Sequence, residues 1–182
     1  DIEFILKNFN GIVSIDEAYI DFSDKKSWSN LLKNYPNLIV TQTFSKAWGL
    51  AAARIGIAYA SDKIIELLNI VKMPYNISQL NEKAAIAALE NRAAFEANKK
   101  IILEEKEKLI QELKTLAIIK KIYPSDANFL LIEVEDANQL YQKLVEQKVI
   151  TRNRNSLVKN GIRITIGKPS ENKQLLIALK NI

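Results

Sequence analysis

Two side chains in this 182-residue chain could act together on an amine and an anion. Lys46 follows an apolar run at residues 38–40 that predicts a buried strand, so its ammonium lies where the chain leaves a sheet and pockets form. Arg54 adds a permanent cation, and Gly49 and Gly56 allow tight turns or close approach of a ligand to the backbone. The segment predicts a lysine nucleophile beside an anion site; solvated loop cations with two turn glycines are the alternative interpretation.

A second set of reactive groups lies upstream of this segment. Residues 11–15 predict a short buried strand, which delivers Asp16 and Tyr19 to its carboxyl end, the usual ligand edge of an open α/β sheet. A carboxylate buried at that edge needs a cationic partner. The pattern predicts another part of the same site, while a core aromatic with a satisfied hydroxyl is the structural alternative for Tyr19.

These motifs resemble those of a known enzyme family. The segment 45–56, SKAWGLAAARIG, is similar to the cofactor-lysine motif of the fold-type I aminotransferases, which use pyridoxal 5'-phosphate (PLP). The segments 16–22, DEAYIDF, and 161–167, GIRITIG, resemble the histidinol-phosphate aminotransferases in particular. The similarity runs almost end to end, but this chain starts far later than the family pattern.

The resemblance implies a role for each matching side chain around PLP. Lys46 would hold the cofactor as an imine and then serve as the acid-base group for the proton shift. Asp16 would keep the pyridine nitrogen protonated, and Tyr19 would hydrogen-bond the ring oxygen. Ser45 and Arg54 would hold the cofactor phosphate, because a hydroxyl donor and a fixed cation suit its oxygens.

Further matches imply residues that bind the substrate. Arg163 lies in the strand predicted at residues 162–166 and matches an arginine that clamps a carboxylate with its two-pronged guanidinium. Arg152 matches a second arginine that meets the substrate phosphate, and Tyr75 matches a residue that addresses the substrate side chain. Which arginine takes which anion does not follow from the sequence, and an outward-facing Arg163 on a half-exposed strand is the alternative.

The elements that position these groups predict an α/β fold. The resemblance implies the C-terminal part of the fold-type I architecture: a partial large-domain sheet in residues 1–90, then a long linking helix and a small α/β domain in residues 91–182. Within the small domain, the apolar spacing predicts helices at 137–147 and 171–182. It predicts strands in four places: 118–123, 128–134, 149–151 and 162–166.

Composition narrows the chemistry. The chain has no cysteine and no histidine, which excludes disulfides, thiolate sites, the usual zinc sites and Ser-His-Asp catalysis, and we predict no metal site. The net charge of +5 raises the question of a nucleic-acid partner, but the lysines at 104–108 alternate with acids, as on a solvated helix face. We predict no nucleic-acid partner. Because no apolar run reaches the length of a membrane span, we also predict a soluble, cytoplasmic protein with no membrane partner.

The resemblance implies transamination between L-histidinol phosphate and 2-oxoglutarate, with glutamate as the other amine, by a homodimer. An aromatic aminotransferase or an enzyme like threonine-phosphate decarboxylase fits the same scaffold. A basic binding module without catalysis is the alternative from a different class, supported only by the charge. In the family an N-terminal half supplies the phosphate loop and a residue packed on the cofactor ring, so we expect these 182 residues alone to be inactive.

Overall fold

The chain forms two units in the computed structural model, which describes residues 1–182. The first unit is Asp1–Glu96 and the second is Ala97–Ile182. The domain boundary expected from the sequence, between residues 90 and 91, falls between two helices. The division between the units lies slightly later, inside the long helix α4 (Arg92–Lys114).

A three-stranded sheet organises the first unit. Strands β1 (Val13–Asp16) and β2 (Leu38–Thr43) are parallel, and β3 (Gly56–Ala60) pairs with β2 in the antiparallel direction. Parallel strands need a crossover, and here it contains two 3₁₀ helices, Ile20–Phe22 and Trp28–Asn34. The carboxyl ends of β1 and β2 therefore lie side by side.

Helices α1 (Ile2–Asn8), α2 (Asp62–Val71) and α3 (Gln79–Glu90) complete the first unit. Its core consists of two clusters of buried apolar side chains. One cluster comprises Leu6, Leu38 and Val40, and the other comprises Phe44, Ala53, Ile55 and Ala85. The second cluster lies under the segment that carries Lys46.

The second unit contains an antiparallel sheet in the order β4-β5-β7-β6. The central strands are β5 (Phe129–Val134), which alternates partly exposed and buried residues as the period of two predicts, and β7 (Gly161–Thr165), which does so from Ile162 onward. The edges are β4 (Ile119–Ile122) and the short β6 (Arg152–Asn153). Helices α5 (Ala137–Glu146) and α6 (Pro169–Lys180) and the end of α4 supply the other residues of its core: Leu109, Leu113, Ala137, Leu140, Leu144, Leu175, Ala178 and Leu179.

The α/β fold class is confirmed, but the strand predicted at residues 149–151 is wrong. The amides of Lys148 and Val149 donate to Val145 O and Leu144 O, which extends the end of α5 as a turn. Lys148 adopts the left-handed conformation with a φ of 60°. The Val149 amide, which is used in that turn, cannot also join a sheet, and strand pairing begins at Arg152.

A buried polar network links α4 to α6 within the second unit. Glu105 is 7% exposed and Asn172 is 5% exposed. The Asn172 Nδ2 donates to Glu105 Oε2 at 2.9 Å, and Lys108 Nζ donates to Glu105 Oε1 at 3.0 Å. The hydrogen bond from Asn172, followed by the one from Lys108, holds the pKa of Glu105 below its ordinary value.

None of the helices is both long enough and apolar enough to cross a lipid bilayer.

Candidate active site

The end of β1 presents Asp16 and Tyr19 beside the end of β2. Asp16 is the last residue of β1 and pairs in register with Thr41. Its Oδ1 accepts a hydrogen bond from Ala18 N at 2.9 Å, which turns the chain away from the sheet. Tyr19 directly precedes the first 3₁₀ helix. Both predicted residues therefore lie at the ligand edge of the sheet.

The buried carboxylate expected at Asp16 belongs instead to the next residue. The Asp16 side chain is exposed, whereas Glu17 is only 6% exposed. The strand alternates outward and inward positions, so Asp16 takes an outward position and the following residue points inward. The expectation of a deep Asp16 was wrong, and its carboxylate is open to a ligand.

Glu17 is the residue of this region that the motif interpretation missed. Its Oε2 accepts from Ser27 Oγ at 2.6 Å and from Gln42 Nε2 at 2.9 Å. Its Oε1 accepts from Trp28 N at 2.7 Å. The sequence feature that could have indicated Glu17 is a second acid beside Asp16 at the end of an apolar strand. Two adjacent acids, however, do not reveal which of them is buried.

The segment that carries Lys46 is a loop closed by backbone hydrogen bonds. Phe44 N donates to Ile55 O at 3.2 Å, one step beyond the last paired residues of β2 and β3. Ser45 and Arg54 are the next residues on either side of that closing bond. Ser45 N donates to Thr43 Oγ1 at 3.0 Å, which orients the turn into the loop. The structure therefore brings the two predicted phosphate-binding residues to the mouth of one loop.

The Lys46 side chain points toward the crossover that follows β1. Its Nζ lies 5.0 Å from the centroid of the Tyr19 ring, within the range of a cation–π contact. Trp48 anchors the loop: its ring stacks on Phe95 with centroids 3.9 Å apart and contacts Phe44 at 5.6 Å. The half-buried Lys46 amine thus lies over a phenol, in a loop that Trp48 anchors by aromatic packing.

Arg54 has an unusual backbone conformation. Its φ is 53° and its ψ is 41°, the left-handed region that residues other than glycine seldom adopt. The side chain is exposed, and its Nη1 donates to Ala51 O at 3.1 Å. Gly49, in the same loop, has a φ of 71°. A left-handed arginine costs on the order of 1 kcal/mol, and such strain is concentrated where the geometry serves a ligand.

Tyr75 lies in the exposed segment that follows α2. Its side chain is 98% exposed, so in this chain its ring packs against no other site residue. Neighbouring apolar side chains are also exposed, including Met73 at 73%. The substrate-binding role of Tyr75 stays a prediction.

The two predicted substrate arginines face each other in the second unit. Arg163 on β7 pairs in register with Arg152 on β6, so the two side chains lie on one face of the sheet. The Arg163 guanidinium carbon lies 4.9 Å from the centroid of the Phe129 ring. The Arg163 Nε is buried and has no hydrogen-bond partner. Two adjacent cations with an unsatisfied buried donor favour an anionic ligand.

The donor set suits PLP, the cofactor that the motif resemblance implies. The first unit combines an amine, an exposed carboxylate on the adjacent strand end, a phenol near the amine, and a hydroxyl with a guanidinium at one loop mouth. These groups match, in kind, an aldehyde, a pyridine nitrogen, a ring oxygen and a phosphate. The site therefore fits the group.

Comparison with known proteins places the chain among aminotransferases. The sequence model of the family described as aminotransferase class I and II matches residues 1–179. A histidinol-phosphate aminotransferase from Flavobacterium psychrophilum is 51% identical over 178 residues, which are 97% of this chain and 51% of the relative. The chain thus spans about half the length of the curated relatives that it matches.

Solved structures share the fold. The histidinol-phosphate aminotransferase of Clostridium acetobutylicum superposes with a TM-score of 0.91 at 26% identity, covering 99% of this chain and 57% of that one. The histidinol-phosphate aminotransferase of Sinorhizobium meliloti, solved in complex with PLP, has a TM-score of 0.79 at 24% identity and covers 93% of this chain and 52% of that one. These findings confirm the resemblance seen in the motifs.

Proposed function

We propose, on the premise that this chain belongs to the class I and II aminotransferase family, that it carries the lysine-bearing part of a PLP-dependent aminotransferase. The observation that carries the proposal is the approach of the Lys46 ammonium to the Tyr19 ring, with Asp16 on the adjacent strand end. An amine, a carboxylate and a phenol at one sheet edge are the groups that this chemistry requires.

Each side chain has a separate task in this proposal. PLP, when bound, withdraws electrons from the substrate carbon that loses its proton. Lys46 would hold the cofactor through its amine and would carry the proton that moves between substrate atoms. Asp16 would keep the proton on the pyridine nitrogen, while Ser45 and Arg54 would bind the phosphate at the mouth of the loop. Tyr19 donates its hydroxyl to the ring oxygen and packs against the lysine.

The finer proposal concerns the substrates. We propose that the amino group moves between L-histidinol phosphate and 2-oxoglutarate, with glutamate as the second amine. The identity of 51% with a histidinol-phosphate aminotransferase supports this choice. The adjacent Arg152 and Arg163 also support it, because both substrates are anions and a guanidinium grips two oxygens at once.

The 182 residues alone are proposed to be inactive. The curated relatives are about twice as long as the matched region, and catalysis depends on groups placed in advance around the reacting atoms. A homodimer, which the resemblance implies, and a cytoplasmic location, which the hydropathy pattern of the sequence predicts, stay predictions.

The decisive experiment is to identify the residue that binds PLP in the full-length gene product. The purified protein is mixed with PLP, its visible absorption is recorded, and borohydride reduction is followed by peptide mapping. We expect the pyridoxyl tag on Lys46, and loss of the visible band in Lys46→Arg. Lys63→Arg, an exposed lysine on α2, is the matched control and should keep the band.

Turnover then tests the substrates. Glutamate formation from histidinol phosphate and 2-oxoglutarate supports the finer proposal, while release of carbon dioxide from threonine phosphate identifies a decarboxylase on the same scaffold. A tag on any other lysine contradicts the site assignment.

A further inference from the structure

Glu17 has a buried carboxylate, and the hydrogen bonds of this carboxylate all reach other segments of the chain. A charge taken out of water is costly unless several donors satisfy it. Glu17 meets this requirement with Ser27 Oγ and Gln42 Nε2 on one oxygen and Trp28 N on the other. Its own amide donates to Thr41 O at 2.8 Å. The residue therefore joins the end of β1, the start of the second 3₁₀ helix and the end of β2.

The partners of Glu17 are themselves connected. Gln42 Nε2 also lies 3.2 Å from Ser27 Oγ, and Ser27 Oγ lies 2.7 Å from Ser29 Oγ. Ser27 Oγ further accepts from Ser29 N, which caps the 3₁₀ helix. A charged acceptor at the centre of such a network gives stronger and more directional bonds than a neutral one.

Glu17 lies between the two segments that form the candidate site. Along the chain it follows Asp16 and precedes Tyr19. Across the sheet it holds Gln42, which lies on the same strand end that leads into the Lys46 loop. Any displacement between these two segments changes the position of the Tyr19 ring relative to the Lys46 ammonium.

We propose that Glu17 is a positioning residue for the cofactor site: its carboxylate sets the placement of Asp16 and Tyr19 relative to Lys46 by clamping their segments together through Gln42. The inference rests on the proposed function. Glu17 does not touch the reacting atoms, since its oxygens are turned to Ser27, Trp28 and Gln42. Its effect is on geometry, and displacements of about 1 Å at a catalytic group can cost on the order of a hundredfold in rate.

The test uses an exchange of the two partners in the full-length gene product. Glu17→Gln keeps the size of the side chain but turns an acceptor into an amide donor facing the Ser27 hydroxyl and the Gln42 amide. Glu17→Gln with Gln42→Glu restores a carboxylate–amide pair with the two sides exchanged, and the amide oxygen introduced at position 17 can still accept from Trp28 N. Glu66→Gln, exposed on α2, is the matched control.

Two measurements separate positioning from plain stability. The first is the pH midpoint of the visible absorption of lysine-bound PLP, which depends on the groups around the lysine. The second is the division of any kinetic loss between kcat and KM. We expect Glu17→Gln to move the midpoint by about half a pH unit and to lower kcat roughly tenfold, with KM changed by less than about twofold. The exchanged pair should return both toward the wild-type values.

Several outcomes overturn the inference. One is a midpoint in Glu17→Gln equal to that of the Glu66→Gln control, even if the melting temperature falls, because Glu17 then supports only stability. Another is a loss that the exchanged pair does not restore. If Glu17→Gln does not fold, the exchanged pair decides: a wild-type midpoint supports the inference, and a displaced midpoint or failure to fold overturns it. If the wild-type protein shows no absorption from lysine-bound PLP, the proposed function is wrong, and this inference falls with it.

Discussion

The Lys46 ammonium lies 5.0 Å from the centroid of the Tyr19 ring, so a cation–π contact joins the loop after β2 to the crossover after β1. A contact of this kind stabilises a partly buried cation by about 0.5–2 kcal/mol. The ring and the hydroxyl of Tyr19 can thus act differently, the ring on the lysine and the hydroxyl on a ligand.

Substitutions at Tyr19 should separate these two effects. Tyr19→Phe keeps the ring under Lys46 and removes the hydroxyl, so we expect PLP still to bind while kcat falls roughly tenfold or more. Tyr19→Leu removes the ring as well and should weaken PLP uptake. Absorption titration with PLP and steady-state kinetics provide the measurements. If Tyr19→Phe had the same kinetics as wild type, the Tyr19 hydroxyl would have no role in the site.

Asp16→Asn tests the electrostatic role of an exposed carboxylate at the end of β1. The amide can keep the local hydrogen bond to Ala18 N but carries no charge to hold a proton on the pyridine nitrogen. We expect PLP to remain bound while kcat falls by roughly a hundredfold or more. Single-turnover kinetics check this, and near-normal turnover would contradict the electron-sink role.

The left-handed backbone of Arg54 decides how its phosphate role should be tested. Arg54→Ala would combine the loss of charge with backbone strain, whereas Arg54→Asn removes the charge with a residue that tolerates this conformation. We expect Arg54→Asn to weaken PLP binding roughly tenfold or more, with little change in KM at saturating cofactor. Fluorescence titration with PLP measures the affinity. Unchanged PLP affinity with a raised substrate KM would place Arg54 in the substrate site instead.

Arg163→Lys tests the anion site of the second unit. Lysine keeps the charge but loses the two-pronged donor and the buried Nε, so the KM of one substrate should rise roughly tenfold or more while PLP affinity stays unchanged. Measuring KM separately for histidinol phosphate and for glutamate, in Arg163→Lys and Arg152→Lys, shows which arginine meets which anion. Arg92→Lys, an exposed position on α4, is the matched control. If Arg163→Lys changed the KM of neither substrate, the role of Arg163 would be packing on Phe129 and not substrate binding.

Acid stability of the second unit should depend on Glu105. Its pKa in the folded protein is lowered by the hydrogen bonds from Asn172 and then Lys108, so the ionised form stabilises the fold above the ordinary value of 4.5. That contribution is lost as the pH falls from 4.5 through the lowered folded pKa. We expect Glu105→Gln to be less stable than wild type at about pH 7 and the difference to shrink below about pH 4. Urea unfolding at both pH values measures this.

Glu107→Gln, an exposed neighbour on the same helix, is the control for the Glu105 prediction. It should follow the wild-type pH dependence. A Glu105→Gln difference that stays constant between about pH 7 and about pH 3 would mean that lost packing, not lost charge, destabilises the variant.

Much of the fold was predictable because it depends on local periodicity. The apolar spacing predicted α5 at residues 137–147, and the structure has Ala137–Glu146; it predicted β5 at 128–134, and the structure has Phe129–Val134. Such patterns report which face of an element is buried, and neighbouring residues suffice to show it. The strand predicted at 149–151 was wrong at its start because a turn with Lys148 in the left-handed conformation uses the Val149 amide.

The sequence by itself determined which reactive groups exist and in what order: an acid and a phenol after one strand, and a lysine and an arginine in the loop after the next. Only the tertiary structure decided that Glu17, not Asp16, is the buried acid, that Lys46 meets Tyr19, and that Arg152 opposes Arg163. These relationships depend on how the strands pair and on which face of each strand is covered. The pairing register is set by packing of one strand and its side chains on another, and the local spacing of residue types does not contain that information.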